Sequence, residues 1–273
     1  MIFQRRLTVK TAAQLALMRT AGLLVGETLQ LLAARVAAGM TTAELDAIAE
    51  ENIRSHGGIP SFLGYHGFTG SICASVNEEV VHGIPGGRVL EDGDLISIDC
   101  GAIVDGWHGD SAVTVAVGAI RPDDAVLSAA CEASMWAGIG AAVVGGRLSD
   151  IGASVEASVL GAGRDFGIVE EYTGHGIGTS MHEDPSVPNY GRRGRGPKLV
   201  HGAVLAIEPM ITAGPADVKV LSDDWTVVTT DGRRAAHWEH TVAITDAGPW
   251  VLTALDGGAA ALAAIGSPCG APA

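Results

Sequence analysis

The sequence predicts an α/β protein of the α+β type, built from two similar halves. In each half two helices precede a group of antiparallel strands, over about residues 11–117 and again over about 123–245. Apolar residues recur every three or four positions in the helical segments and alternate with polar residues in the strand segments. With 47% hydrophobic and 18% charged residues, the 273-residue chain can bury a substantial core.

Four helices are predicted from the signals at their ends. Thr11 can cap the first helix, and Thr41 with Glu44 forms a capping box for the second. Pro122 can open the third, because proline is tolerated at the first helical position, and Ser149 can cap the fourth. The four helices are expected over about residues 11–39, 41–58, 122–140 and 149–161.

Six strands are predicted, and two of them form a hairpin. Asp105 and Gly106 between two apolar runs favour a two-residue type I′ turn, which pairs position 104 with position 107. Asp110 then lies opposite Gly101, and Asp99 becomes its diagonal neighbour, with Cβ atoms about 7 Å apart or less. The strands are expected over residues 71–76, 95–104, 111–117, 167–172, 203–211 and 240–245.

Composition excludes several classes of protein. The formal net charge of −14 disfavours a nucleic-acid binder, because phosphate contacts need Lys and Arg. The four cysteines share no CxxC spacing and predict neither a disulfide framework nor a cysteine metal site. The start of the chain lacks a signal-type apolar segment, and no uncharged apolar run reaches 18 residues, so we expect no membrane span. The expected location is the cytoplasm.

Two segments divide the chain. Residues 1–253 are expected to form a single catalytic domain. Residues 254–273 are rich in Ala, Gly and Pro and nearly uncharged, which predicts a disordered tail.

Four carboxylates and one imidazole stand at predicted strand ends, at Asp99, Asp110, Glu208, Glu239 and His175. Such an oxygen-rich set suits two divalent ions of the Mn, Co, Fe or Zn type. The alternative is a set of solvated side chains near turns, and each residue taken alone is equally consistent with it. Asp99 weighs against this alternative, because it ends an apolar strand where an unpaired carboxylate is costly.

Six separated motifs together resemble the methionine aminopeptidases of type I, the bacterial type without an N-terminal extension, over about residues 8–252. One of them, Gly-His-Gly-Ile-Gly, would carry little weight alone. The motifs occur in the family's order at residues 77–85, 98–99, 105–110, 174–178 with 182–185, 207–210 and 238–241.

The resemblance implies a "pita-bread" fold with pseudo-twofold halves around a dinuclear metal site. It implies that Asp110 and Glu239 bridge the two ions and that Glu208 also shuttles a proton. His82 and His182 match two active-site histidines that are not ligands and that contact the scissile amide. The implied metal ligands are Asp99, Asp110, His175, Glu208 and Glu239.

The resemblance also implies an apolar pocket for the methionine side chain. Phe62 stands where bacterial relatives often have Cys, and Met181 where they often have Phe, so the pocket stays apolar but changes shape. Plain core packing is the alternative for Met181 and Phe68. Three further histidines, His66, His108 and His240, are expected to be structural. The implied pocket residues are Phe62, Tyr65, Phe68, Cys73, Met181 and Trp225.

The implied function is removal of the initiator methionine from nascent polypeptides when the second residue is small. Expected partners are nascent N-termini, with the ribosome as a candidate place of action, and the expected state is a monomer. Two alternatives remain: an Xaa-Pro dipeptidase, which the length of the chain and the motif at residues 77–85 count against, and a peptide-binding relative without catalysis, which the intact ligand set disfavours.

Overall fold

The computed structural model describes residues 7–272. The prediction that the first residues carry no signal-type segment lies outside this range. Four long helices, one short helix and a 3-10 turn at Tyr65–Gly67 are present in the described part of the chain. The helices are α1 (Ala12–Arg35), α2 (Thr42–Ser55), α3 (Pro122–Ala141), α4 (Leu148–Gly161) and α5 (Ala259–Ala264).

The helix ends follow the predicted signals, with one shift. Thr11 and Thr41 are N-caps of α1 and α2, and each forms a complete capping box. The predicted cap of α4 at Ser149 is wrong, because Arg147 occupies that position. The backbone N–H of Arg147 donates to the Asp150 carboxylate at 2.7 Å, so Asp150 supplies the capping contact.

Fifteen strands are present within residues 7–272. Most of them are short, and nine join into one sheet. The strands are β1 (Ile59–Pro60), β2 (Ile72–Val76), β3 (Glu79–Val81), β4 (Leu95–Val104), β5 (Trp107–Ala116), β6 (Gly167–Ile168), β7 (Gly174–Gly176), β8 (Glu183–Val187), β9 (Val204–Ile207), β10 (Met210–Thr212), β11 (Val218–Val220), β12 (Val227–Thr229), β13 (Ala235–His237), β14 (Glu239–Thr245) and β15 (Gly248–Val251).

The nine-stranded sheet runs through both halves of the chain. Its order is β1-β4-β5-β14-β9-β7-β8, with β2 beside β4 and β15 beside β14. All of its pairings are antiparallel. The halves meet where β5 pairs with β14, at Ala112 opposite Glu239 and Ser111 opposite His240. The predicted α/β fold of two helix-and-strand halves is confirmed.

The β4–β5 hairpin has the predicted register. Val104 pairs with Trp107, and Gly101 pairs with Asp110. Both turn residues have positive φ, 49° at Asp105 and 80° at Gly106, as a type I′ turn requires. The short local turn therefore fixes which residues of the two strands face each other.

Helix α1 packs against the hairpin. Ten of its residues are buried. A Cβ atom at Gly22 or Gly26 would collide with the backbone of Leu252 or Thr253, so glycine is required for this close approach. By length and composition α1 is also apolar enough to cross a membrane, a test that a buried core helix passes as well.

The expectation of a disordered tail at residues 254–273 is not met. Helix α5 forms there, and Leu262 is fully buried with Met135 of α3 and Val251 of β15. The backbone N–H of Gly270 donates to the Pro249 carbonyl at 2.8 Å. Leu255, Leu262 and Ile265 are too few to give a clear periodic pattern among the small residues, yet Leu262 joins the core of the second half.

Candidate active site

The five predicted metal ligands lie on one face of the nine-stranded sheet. Asp99 and Glu239 both pair with Ala112 of β5, so all three residues stand in one cross-strand row. Asp110 lies two positions from Ala112 and therefore points to the same face. The strand register thus brings together three carboxylates that are far apart in the sequence.

A second row of the sheet supplies the other two groups. Thr241, two residues beyond Glu239, pairs with Ala206, and Ala206 pairs with His175. Glu208 follows Ala206 by two positions, directly after β9 ends, and its carbonyl accepts from Asn189 Nδ2 at 3.1 Å. Alternation therefore directs His175 and Glu208 towards the acidic row.

Three oxygens of the packed carboxylates lack hydrogen bonds to the described residues. Within residues 7–272, the buried atoms Asp99 Oδ1, Asp110 Oδ1 and Glu239 Oε1 have no hydrogen-bond partner. Burial raises the pKa of Asp99 to about 7 and the pKa of Glu208 to about 8, and it raises the pKa values of Asp110 and Glu239 well above the usual range. Such a cluster is stable in its charged form only if a cation lies within it.

His175 presents a neutral nitrogen to this cluster. Its Nδ1 lies 2.9 Å from the Gly176 carbonyl, which fixes Nδ1 as the protonated nitrogen. Nε2 then faces Glu208 Oε1 at 3.4 Å and Asp110 Oδ2 at 3.9 Å. Burial lowers the pKa of His175 to about 3, so the imidazole keeps a lone pair for a metal ion.

The residues fit a divalent cation. Ligand atoms of Asp110, His175 and Glu239 lie within 4.8 Å of one another, and all three side chains are buried. Orphaned carboxylate oxygens beside one neutral imidazole form the oxygen- and nitrogen-rich donor set that first-row divalent ions prefer.

A cavity of about 140 Å³ opens directly onto this cluster. It is smaller than the 300–1,000 Å³ that is typical of sites for drug-sized ligands. Its size therefore suits a single side chain. All thirteen residues predicted for the site line it: Phe62, Tyr65, Phe68, Cys73, His82, Asp99, Asp110, His175, Met181, His182, Glu208, Trp225 and Glu239.

Part of the cavity wall is apolar, and it adjoins the carboxylates at Cys73, which pairs with Asp99. Phe62, Phe68, Cys73 and Met181 are buried and pack together in one cluster. The Trp225 ring meets Phe68 edge to face, with ring centroids 5.1 Å apart. The cavity thus has an apolar end that meets the metal-type donors at Cys73 and Asp99.

His82 and His182 stand at the boundary between these two ends. His182 is exposed, and its Nδ1 lies 2.7 Å from the Tyr65 hydroxyl. His82 has a φ of 60° and packs edge to face on Tyr172 at 5.4 Å. Burial lowers the pKa of His82 to about 4, and partial desolvation of the ring lowers the pKa of His182, so both are neutral near pH 7.

His66, His108 and His240, the three histidines expected to be structural, do not line this cavity. His66 is exposed in the 3-10 turn. His108 Nδ1 lies 3.0 Å from Ser61 Oγ, and His240 Nδ1 lies 2.7 Å from Thr253 Oγ1.

Sequence reasoning missed His237. Its side chain is 2% exposed, and its Nε2 lies 3.6 Å from Glu208 Oε2. The spacing could have indicated it, because His237 precedes Glu239 by two residues in an extended segment, and such residues point to the same face.

The comparisons with known proteins agree with this geometry. The sequence profile of metallopeptidase family M24 matches residues 16–246. Methionine aminopeptidase 1 of Mycobacterium tuberculosis is 55% identical over 249 residues, which cover 89% of this chain and 94% of that protein. Methionine aminopeptidase 1 of Bacillus subtilis is 52% identical, over 89% of this chain and 98% of that protein.

A solved structure matches equally well. The crystal structure of methionine aminopeptidase from Rickettsia prowazekii superimposes with a TM-score of 0.89 at 37% identity, covering 91% of this chain and all of that chain. The protein is thus a metallopeptidase by class. The chain belongs to metallopeptidase family M24, and within it to the methionine aminopeptidases. The identification made from the six motifs is confirmed.

Proposed function

We propose that this protein is a metal-dependent aminopeptidase that hydrolyses the bond after an N-terminal methionine. The observation that carries this proposal is the cavity of about 140 Å³, which joins an apolar end to the cluster of metal-type donors. An enclosed end that holds one side chain admits only the first residue of a chain, which is the geometry of an exopeptidase.

Two divalent ions are proposed, held by the five ligands on the sheet face, with Asp110 and Glu239 shared between them. When bound, such ions act as Lewis acids and lower the pKa of water towards neutrality. The Asp99, Asp110 and Glu239 oxygens that lack hydrogen bonds among the described residues support this ligand set. Cobalt, manganese, iron and zinc all suit these donors.

Glu208 is proposed to carry the proton from the attacking water to the leaving amine. Its Oε1 faces the centre of the cluster near His175, and burial raises its pKa to about 8. A carboxyl group whose pKa is near the working pH can both accept and release a proton.

His82 and His182 are proposed to bind the peptide bond itself. Both line the cavity where the apolar end meets the carboxylates, so a scissile amide placed there lies between them. Each neutral imidazole can donate one N–H to the oxygen on which negative charge develops. His182 is oriented by the Tyr65 hydroxyl.

The first residue of the substrate is proposed to be methionine with a free amine. Phe68, Cys73, Met181 and Trp225 offer aromatic and sulfur contacts that suit an unbranched thioether. The requirement for a small second residue is taken from the resemblance to the family. We further propose that the enzyme acts as a monomer in the cytoplasm, on nascent chains, including those at the ribosome.

An Xaa-Pro dipeptidase is not favoured, since relatives at 52–55% identity are methionine aminopeptidases. A panel of three peptides separates the alternatives: Met-Ala-Ser, its N-acetylated form, and Ala-Pro, each with and without a chelator. We expect release of methionine from the first peptide alone, abolished by the chelator. Cleavage of Ala-Pro or of the acetylated peptide, or no cleavage at all, would contradict the proposal.

A further inference from the structure

The buried imidazole of His237 lies beside the site and has no role in the reaction proposed above. His237 is 2% exposed, and its Nε2 is a buried nitrogen without a hydrogen-bond partner among residues 7–272. Buried polar atoms are nearly always paired, because leaving one unpaired costs free energy. A histidine kept in this condition therefore calls for a functional explanation.

The backbone of His237 is tied to the strands that carry the acidic row. Its N–H donates to Thr114 Oγ1 at 3.0 Å and to Ser97 Oγ at 3.2 Å. Its carbonyl accepts from Thr114 Oγ1 at 2.7 Å. Ser97 lies on β4 two residues before Asp99. These bonds set the position of the imidazole relative to the carboxylates.

The Glu208 carboxylate lies between two imidazoles. Its Oε1 is 3.4 Å from His175 Nε2, and its Oε2 is 3.6 Å from His237 Nε2. The second distance slightly exceeds that of a formed hydrogen bond. Catalytic hydrogen bonds are often long before substrate binds.

We propose that His237 is a positioning residue, which donates its Nε2–H to Glu208 Oε2 and so keeps Oε1 turned towards the reacting atoms. His175 already uses Nδ1 on the Gly176 carbonyl, so it offers Glu208 no proton from Nε2. The donor that faces the other carboxylate oxygen, Glu208 Oε2, is His237. This inference rests on the proposed function, because it assumes that Glu208 transfers a proton in the proposed reaction.

The test compares His237→Ala and His237→Gln with the wild type, all loaded with Mn²⁺, and uses His201→Ala as an exposed-histidine control. We expect His237→Ala to bind as many ions as the wild type by calorimetry. Its kcat on Met-Ala-Ser should fall about 10–100-fold, the usual effect of losing the partner of a functional ligand. KM should change less than about threefold, since the peptide does not contact His237. Gln, which keeps an N–H donor, should restore most of kcat.

Three results would overturn the inference. Loss of one bound ion in His237→Ala would place the role of His237 in metal binding and not in the proton transfer. Equal losses in the Ala and Gln variants would reduce it to a space-filling group. Unchanged kcat would leave it without a role.

A failure of the proposed function is seen separately, because the wild type would then release no methionine. In that case a crystal structure of the metal-loaded His237→Ala variant decides. A Glu208 carboxylate turned away from its wild-type position supports the inference, and an unmoved carboxylate overturns it.

Discussion

At the scale of single residues, the site depends on burying acidic side chains next to one neutral imidazole. Asp110 and Glu239 are 4% and 2% exposed, and each has an oxygen without a hydrogen-bond partner in the described chain. Ionised carboxylates so placed repel one another unless a cation lies between them. The residues are thus poorly suited to packing alone and well suited to holding ions.

Asp110→Asn should lower kcat/KM by several orders of magnitude and weaken ion binding, because an amide oxygen carries no charge to share between two cations. Calorimetric titration of the metal-free variant with Mn²⁺ measures the binding. Asp105→Asn is the matched control, since it makes the same change in the turn of the same hairpin, where Asn is tolerated. Wild-type turnover and ion content in Asp110→Asn would refute the ligand assignment.

His182→Ala should lower kcat about 10²–10³-fold, the usual effect of losing a hydrogen-bond donor to developing charge. The ion content should stay at the wild-type value, because His182 is proposed to bind the peptide bond and its Nδ1 is already held by the Tyr65 hydroxyl. Elemental analysis beside steady-state kinetics checks both statements. A stoichiometric loss of metal would instead make His182 a ligand.

At the scale of elements, the β4–β5 hairpin shows which strand pairings can be predicted from the local sequence. The Asp105-Gly106 turn was enough to predict the pairing of Gly101 with Asp110, because a two-residue loop leaves one register. The pairing of β5 with β14 joins segments more than a hundred residues apart, and hydrophobic alternation does not name a partner strand. The positions of Glu208, Glu239 and His175 at predicted strand ends suggested these groups, and the resemblance implied that they act together with Asp99 and Asp110.

The role of His237 and the helix α5 could not be predicted from the sequence, for similar reasons. His237 belongs to none of the roles that the six motifs imply, and only the folded chain brings its Nε2 to Glu208. Leu262 is the buried one of three large apolar residues scattered among small residues, so the pattern was too weak to predict α5. In both cases the decisive contact is with a residue distant in the sequence.

The docked tail leads to a stability prediction. Leu262→Ala should lower the free energy of unfolding by about 2–5 kcal/mol, the range for emptying a fully buried leucine site. Leu160→Ala is the control, because Leu160 is 70% exposed at the end of α4. Urea denaturation measures both variants. Equal stability of Leu262→Ala and the wild type would show that the segment 254–273 does not pack as described.

At the scale of the whole molecule, the acidic cluster should make the stability of the metal-free protein depend on pH. Folding raises the pKa of Asp99 to about 7 and of Glu208 to about 8, so the folded state holds more protons than the unfolded state above pH 6.5. The free energy of unfolding then falls as pH rises, by about 1.4 kcal/mol per pH unit for each extra proton retained.

The histidines do not reverse this trend. Burial lowers the pKa values of His82 and His175 to about 4 and about 3, so their effect is confined to pH values below 6.5. Thermal unfolding with a chelator should therefore show Tm falling between about pH 6.5 and 8.5. Bound ions should remove the fall, because they replace the retained protons. A Tm that rises over this range without metal would contradict the account.

The most direct test of the central claim is to reconstitute the metal-free enzyme with increasing Mn²⁺ while measuring bound ions and the release of methionine from Met-Ala-Ser. We expect no activity without metal, activity that rises with ion binding, and saturation at two ions per chain. Full activity of the metal-free protein, or ions that bind at this site without any release of methionine, would contradict it.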